Sequence, residues 1–265
     1  MVLAFSRSNS NRITESNVDS RGVIYRTLTR PPTESPYNDD GSLRPNNPIN
    51  TLLNSYQHTG SNRLIGNVFG ELNITDNLSF KSSFALDLLS FKEDRFYPST
   101  IFSFGGAQRT GQSAVTQQLN WVNENTLTFM PKLGEKHNLT ALAGLSQQKN
   151  TTEIIGGSGS QYSTDLIPTL NAAAQRDALY TYETAYGILS YFARVNYTFD
   201  GKYMIGATTR YDGSSRFGAN NRFGFFPSAS IGWRVKEENF LKDVRFIDDL
   251  KIRGSIGKTG NQQNW

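Results

Sequence analysis

The sequence predicts an all-β fold, and more narrowly an antiparallel transmembrane β-barrel segment. Three observations carry that expectation. Apolar and polar residues alternate with a period of two over much of the chain, as in strands that present one apolar face. Short polar turns alternate with long polar loops, the asymmetry of outer-membrane barrels. Aromatic residues reach 12% although hydrophobic residues as a whole stay at 37%, and Tyr and Phe supply nearly all of the aromatics. Disordered chains lack aromatics, and a helical span needs about 20 consecutive apolar residues, which this sequence does not contain.

The first legible strand carries Leu64, Gly66, Val68, Gly70, Leu72 and Ile74 on one face and Asn67, Glu71, Asn73 and Thr75 on the other. Asp76-Asn77 turns the chain. The return strand sets Leu78, Phe80, Phe84, Leu86 and Leu88 against Ser79, Lys81, Ser83 and Asp87. A polar loop is expected from about residue 91 to 112. In the next pair Val115, Leu119 and Trp121 share a parity with Leu127 and Phe129, but Asn123 and Asn125 fall on the same face, so a bulge near Val122 is expected to shift the register. A turn over 131–136 leads to Leu139, Ala141, Ala143 and Leu145. A long loop is then expected from about 149 to 185, carrying Gly156-Gly157-Ser158-Gly159; such a length is ordinary on the outer side of a barrel.

The last four strands are the clearest. Leu189, Tyr191, Ala193, Val195, Tyr197 and Phe199 oppose Ser190, Phe192, Arg194, Asn196 and Thr198, and Asp200-Gly201-Lys202 turns the chain. Tyr203, Ile205, Ala207, Thr209 and Tyr211 follow on one face, then Phe225, Pro227, Ala229, Ile231 and Trp233 after a loop over 213–221. A charged connection, 236–249, precedes Leu250, Ile252, Gly254 and Ile256. Tyr203 with Tyr211, and Phe225 with Trp233, bracket apolar faces; eight residues make roughly 27 Å of strand and roughly 20 Å of height at a tilt of about 40°, near the apolar band of about 25 Å between aromatic girdles. These four residues are therefore expected to form a membrane girdle. Pro227 departs from the pattern, because it cannot donate to a ladder.

Composition excludes several classes. No cysteine is present, so there is no disulfide scaffold, thiolate metal site or cysteine nucleophile. The charge of +4 is small and dispersed and gives no reason to expect nucleic acid. No metal or cofactor pattern occurs: Asp39-Asp40-Gly41 lacks the spacing of a calcium loop and reads as a turn, and the glycines at 156–159 lack the lysine of a phosphate loop and read as a flexible connection. His58 and His137 are the two imidazoles, one in a long loop and one in a short turn, and no Ser/His/Asp grouping can be drawn, so no enzyme is expected. The Asn-x-Ser/Thr triplets at Asn73, Asn77, Asn138, Asn150 and Asn196 are not expected to be glycan acceptors, Asn73 and Asn196 pointing inward. Met1 to Phe5 has no basic segment and no cleavage site, so the chain is expected either to be cytosolic or to lack its beginning.

One set of motifs points further. Asp212-Gly213-Ser214-Ser215-Arg216-Phe217-Gly218, taken with Ser190 to Tyr197, Phe225-Phe226-Pro227-Ser228, Gly232-Trp233-Arg234, Asp249 to Arg253 and Thr259-Gly260-Asn261-Gln262, resembles the SusC/RagA family of TonB-dependent outer-membrane transporters. Arg30-Pro31-Pro32, Tyr37 to Gly41 and Asn47-Pro48 resemble the long loop before a barrel hairpin in that family. The resemblance implies about eight strands of a barrel of about 22, with no plug domain: an internal fragment of the wall. Residues 1–62 would be an extracellular loop region with a possible strand remnant, and residues 63–265 barrel strands with short periplasmic turns and long extracellular loops.

The resemblance also implies residence in the outer membrane of a Gram-negative cell. It implies contact with the lipid bilayer and uptake of glycans, or in some members peptides, with a SusD-like surface lipoprotein and energy from the TonB complex. Arg194, Arg210, Arg234, Lys251 and Arg253 would line the lumen, either as a basic interior that meets a plug or anionic substrate or as ordinary polar lining. Two other readings suit the strand pattern: a self-contained small barrel acting as an adhesin or binding porin, and a soluble carbohydrate-binding β-sandwich.

Overall fold

The computed structural model describes residues 1–12, 23–45, 47–101 and 109–260. Among these, nine strands form a single antiparallel sheet in sequence order, each strand beside its chain neighbours. They are β1 (Val2–Asn11), β2 (Tyr56–Thr75), β3 (Leu78–Tyr97), β4 (Thr110–Phe129), β5 (His137–Tyr162), β6 (Ala173–Phe199), β7 (Tyr203–Ser214), β8 (Phe223–Arg234) and β9 (Lys251–Gly257). Among the described residues no helix is long and apolar enough to cross a membrane. In the connection between β1 and β2 lie two short helices, α1 (Val23–Thr29) and α2 (Pro48–Asn54). The start of α2 is written in the sequence: Asn47 caps it through an Oδ1 bond from the Ile49 N–H, and Pro48 fills the first turn, where its missing N–H costs nothing.

The register carries one apolar face across the sheet. The row Leu3–Gly66–Leu86–Trp121 and the row Leu78–Phe129–Ala141–Val195–Ala207–Ala229–Ile256 each stay on one side from strand to strand. On β3 that face is apolar from Leu78 to Leu88 except at Ser82, and it turns polar at Ser90 and Lys92. Those ten steps measure about 34 Å along the strand and about 26 Å in height at a tilt of about 40°. The strand runs on to Tyr97, so its upper part stands clear of the apolar band.

Among the described residues no second layer covers this face. Ile205 is 58% exposed, Ile231 66% and Ile256 79%, and the buried hydrophobics among the described residues (Val23, Phe96, Ile101, Tyr162, Val235) all lie outside the apolar band. A sandwich would bury that band between two sheets. The sandwich reading therefore fails, and the sheet is a wall with a polar and an apolar side.

Several expectations need correction. The strands number nine, because residues 2–11 pair with β2 along their whole length, and β2 begins at Tyr56 within the region expected to be loop. The expected loop from 149 to 185 is mostly two strands that pair from His137/Phe199 up to Tyr162/Ala173. Gly156-Gly157-Ser158-Gly159 is strand, not a flexible connection, and the Tyr180 ring lies where a side chain on Gly156 would go. The expected loop 91–112 shrinks likewise: β3 and β4 pair up to Tyr97/Thr110, and residues 102–108 lie outside the described residues. Register runs unbroken through Val122; the shifts fall instead at Asn73/Thr75 and Ser158/Gly159. No bulge is needed to turn Asn123 and Asn125, because Asn125 Nδ2 donates to Asn123 Oδ1 at 2.7 Å and Asn123 Nδ2 to the Ser83 carbonyl at 3.1 Å. Pro227 pairs with Thr209 inside β8. Its carbonyl accepts from the Lys258 N–H just past the end of β9, so its nitrogen faces the side where the ladder is finishing and little donor capacity is lost.

Candidate functional site: the polar face around Arg210

The polar side of the sheet gathers the expected motif residues into one place. On β6, β7 and β8 the inward register runs Ser190–Asp212–Gly224 and Phe192–Arg210–Phe226. Arg210 Nε bonds both Asp212 carboxylate oxygens at 3.1 and 3.2 Å, and its Nη2 donates to Ser190 Oγ at 3.1 Å. Ser190 is 2% exposed, so this is the deepest polar group of the wall. The guanidinium also lies over the Phe192 ring at 5.8 Å. Phe192 in turn covers Gly144 on β5, where a side chain would fall within 3 Å of three ring carbons.

Above the pair the chain leaves β7 through a tightly bonded turn. The Ser215 N–H donates to the Gly187 carbonyl at 3.0 Å, and the Gly187 N–H donates back to Ser215 Oγ at 2.9 Å. Ser214 Oγ accepts from the Arg216 N–H at 3.3 Å, and the Phe217 N–H donates to the Ser214 carbonyl at 3.3 Å. The Arg216 guanidinium stacks over Tyr186 at 4.0 Å, a planar cation on an aromatic face. Each serine of the motif thus closes a backbone group, which explains why hydroxyl residues stand at 214 and 215.

Asp212, Ser214 and Phe217 share a cavity of about 420 Å³ with Arg210, Phe226 and Gly260. Two expected motifs far apart in sequence therefore meet on the polar side of the sheet, with Phe226 between them: a side chain on Gly260 would fall on its ring. Thr259 is described beside Gly260, whereas Asn261 and Gln262 lie outside the described residues. Gly218 leads into the short helical turn at 219–221.

The other expected residues separate into groups. Arg194, Lys251 and Arg253 project from the polar face and have no ion pair among the described residues, whereas Arg234 sits 3.5 Å from Glu237 and 3.9 Å from Asp249. Lys251 and Arg253 flank a groove of about 490 Å³ floored by Gly206 and Gly232. The four expected girdle residues form two cross-strand pairs, Tyr203 with Trp233 and Tyr211 with Phe225, on the apolar face. Phe199 extends the first pair, stacking on Tyr203 at 6.4 Å, and Phe223 the second, stacking on Tyr211 at 4.9 Å. Glu238 accepts from Tyr203 Oη at 2.6 Å and Trp233 Nε1 at 3.0 Å; these bonds, with Lys202 at 3.8 Å, hold its carboxyl below the usual range.

His58 bonds Asn11 and His137 bonds Tyr197 Oη, each on the outward parity and far apart in the sheet. At Asp40 the carboxylate accepts from Ser42 Oγ and the Ser42 N–H, which hold it below the usual carboxylate range; Gly41 has φ +81°, and the feature is a turn. No cluster of three metal-ligating side chains occurs among the described residues.

One cluster had no sequence signal. Asp165, beyond β5, accepts from the Ser99 N–H at 2.9 Å, Ser99 Oγ at 2.6 Å and Arg109 Nε at 2.7 Å, tying two upper connections together. Asn50 of α2, fully buried, reaches the Thr100 carbonyl at 2.5 Å. Only the folded geometry brings these positions together. Burial pushes the Asp165 carboxyl up, but donation by Ser99 and the Arg109 charge outweigh it and hold the pKa below the usual range. A depressed folded pKa means that stability is present above the unfolded value of about 3.9 and lost as pH falls through the folded value. Limited proteolysis should therefore cut the 163–172 connection faster below about pH 4, and Asp165→Asn should give that rate already at pH 7. Lower down, Arg210→Gln should cost about 1 kcal/mol in urea unfolding, the pair with Asp212 being half-exposed and the bond to buried Ser190 supplying most of the loss.

The family model described as TonB dependent receptor-like, beta-barrel matches residues 4–264. TonB-dependent receptor P26 of Formosa agariphila is 30% identical over 270 residues, which cover 95% of this chain and 27% of the relative. TonB-dependent receptor SusC of Bacteroides thetaiotaomicron is 50% identical over 90 residues, 32% of this chain and 9% of the relative. Among solved structures, the RagAB peptide transporter superposes with a TM-score of 0.83 at 22% identity, over 98% of this chain and 31% of that one. The chain spans about a quarter of the length of the curated relatives it matches. Its nine-stranded sheet, with one apolar and one polar face, is part of a barrel wall, and the chain belongs to the TonB-dependent receptor β-barrel family.

Proposed function

We propose that these strands form part of the wall of an outer-membrane importer of SusC/RagA type, which takes up an oligomeric nutrient. The observation that carries this reading is the two-faced sheet, with an uncovered apolar band about 26 Å high on one side and a hydrogen-bonding lumenal face on the other. Tyr203, Tyr211, Phe225 and Trp233 then sit at the two membrane boundaries, with the short turns on the periplasmic side. The open edges of β1 and β9 would leave unpaired N–H and C=O groups in hydrocarbon at several kcal/mol each, so further strands close the barrel and these strands alone do not transport. The role is carriage and not catalysis. A SusD-like lipoprotein covers the extracellular end, and the TonB complex acts through parts of the transporter outside these strands.

A glycan is the favoured cargo. The lumenal cavity offers a serine hydroxyl, an amide, a paired arginine and the flat Phe226 ring, groups that suit a neutral polyhydroxylated ligand. A peptide is the second reading, favoured by the fold shared with the RagAB peptide transporter. Deleting the coding sequence and measuring growth on oligosaccharides and on oligopeptides as sole nutrients separates them. Loss of growth on oligosaccharides alone is expected; loss on peptides alone would transfer the assignment, and unchanged growth on both would refute import.

A further inference from the structure

On the apolar side, at the end of the sheet away from the short turns, lies a groove of about 550 Å³ that the importer role does not use. Its floor is Gly187, where a side chain would meet only the Gln148 carbonyl at 3.5 Å and otherwise enter open space. Trp121, Leu189 and Phe223 form apolar walls, and Lys149 and Arg222 stand at its polar rim. Trp121 is held against Phe84 in a stacked arrangement at 6.2 Å, and Phe223 against Tyr211, so the walls are fixed. Lys149 and Arg222 are exposed and make no ion pair among the described residues. The nearest outward acids on these strands, Glu153 and Glu183, face each other four positions farther up.

We propose that this groove binds one anionic lipid of the outer leaflet, a phosphorylated glycolipid of the lipid A class. An acyl chain lies over Gly187 beside Leu189, and the phosphate meets Lys149 and Arg222. The register supports this placement. The Trp121–Lys149–Gly187 row is where the outward face changes from Leu145 and Leu189 to Gln147 and Lys149, the boundary at which an amphipathic ligand keeps its chain dry and its headgroup wet. An apolar slot alone would accept any lipid; two unpaired cations at its mouth select an anionic head. The missing side chain at 187 makes room for a chain that a full outward row would exclude. The groove is continuous with the apolar band, so the inference rests on that band facing lipid.

The test is native mass spectrometry of the full-length protein extracted in mild detergent and titrated with lipid A, with dephosphorylated lipid A or with phosphatidylethanolamine. Wild type should hold one lipid A preferentially. Lys149→Gln/Arg222→Gln should lose that adduct about five- to tenfold, from two charge-assisted contacts, while phosphatidylethanolamine adducts stay unchanged. Gly187→Leu should weaken lipid A with both cations in place. Equal binding of dephosphorylated lipid, or an unchanged lipid A adduct in the double variant, would overturn the site yet leave the lipid-facing band intact. Absence of every lipid adduct would instead refute the band itself.

Discussion

Arginine at Ala207 should destabilise the folded wall by about 2–4 kcal/mol, the cost of a charge near the middle of the apolar band, whereas arginine at Thr140 should change stability by less than about 1 kcal/mol. Ala207 sits between Val195 and Ala229 on the apolar face, midway between Tyr203 and Tyr211. Thr140 lies beside Asn196 on the polar face, where an added guanidinium keeps its water. Both substitutions end in the same side chain and the same charge on a strand, so the comparison turns chiefly on the face that receives it. Heat-modifiable gel migration and urea unfolding of the reconstituted full-length protein report both. Equal losses at the two positions would mean that the two faces do not differ in environment.

The second large effect should come from a glycine. Valine at Gly144 must share its space with the Phe192 ring, because the new Cβ would lie within 3 Å of three ring carbons. A ring held by the Arg210 guanidinium and the strand pairing has little room to yield, so Gly144→Val should cost about 1–3 kcal/mol as overpacking. The diagnostic is rescue. In a Phe192→Ala background the same change should be nearly neutral, a coupling of about 1–2 kcal/mol in a double-mutant cycle. Additive losses would show that the glycine is required for backbone reasons and not for the ring.

The same glycine–aromatic pairing explains one place where the sequence misleads. Gly156 to Gly159 has the composition of a loop, yet Gly156 lies beneath Tyr180 across the strand pair, and the ring supplies the packing that the glycine lacks. A second difficulty is that alternation is a property of the membrane and not of the strand. Between Leu78 and Leu88 one face is mostly apolar and the other polar, so period two is visible; from Lys92 to Arg95 both faces are charged and the signal fades while the hydrogen-bonded ladder continues. The upper halves of β5 and β6 were hidden for that reason. β1 was hidden because only Leu3 and Phe5 mark its outward face before Arg7. Asn123 and Asn125 argued for a bulge because two amides on a lipid-facing row ought to be costly, and their mutual hydrogen bond removes much of that cost. The cluster on the polar face was legible as residues and parity, because Arg210 and Asp212 alternate onto the same face of β7. Its central partner, Ser190, was legible only as one more polar residue in an alternating strand, because a tertiary bond over twenty positions leaves no local trace.

The absence of cysteine makes one measurement especially direct, because each cysteine introduced into these strands is the only one they contain. Single cysteines at successive positions from Met204 to Arg210 on β7, in the protein held in outer-membrane vesicles, can be probed with a membrane-impermeant water-soluble maleimide after permeabilisation and with a lipid-partitioning nitroxide. A barrel wall should give strict alternation: Met204, Gly206, Thr208 and Arg210 reached from water, and Ile205, Ala207 and Thr209 reached from lipid. Water labelling at every position, or the opposite phase, would contradict the assignment of these strands to a lipid-facing wall.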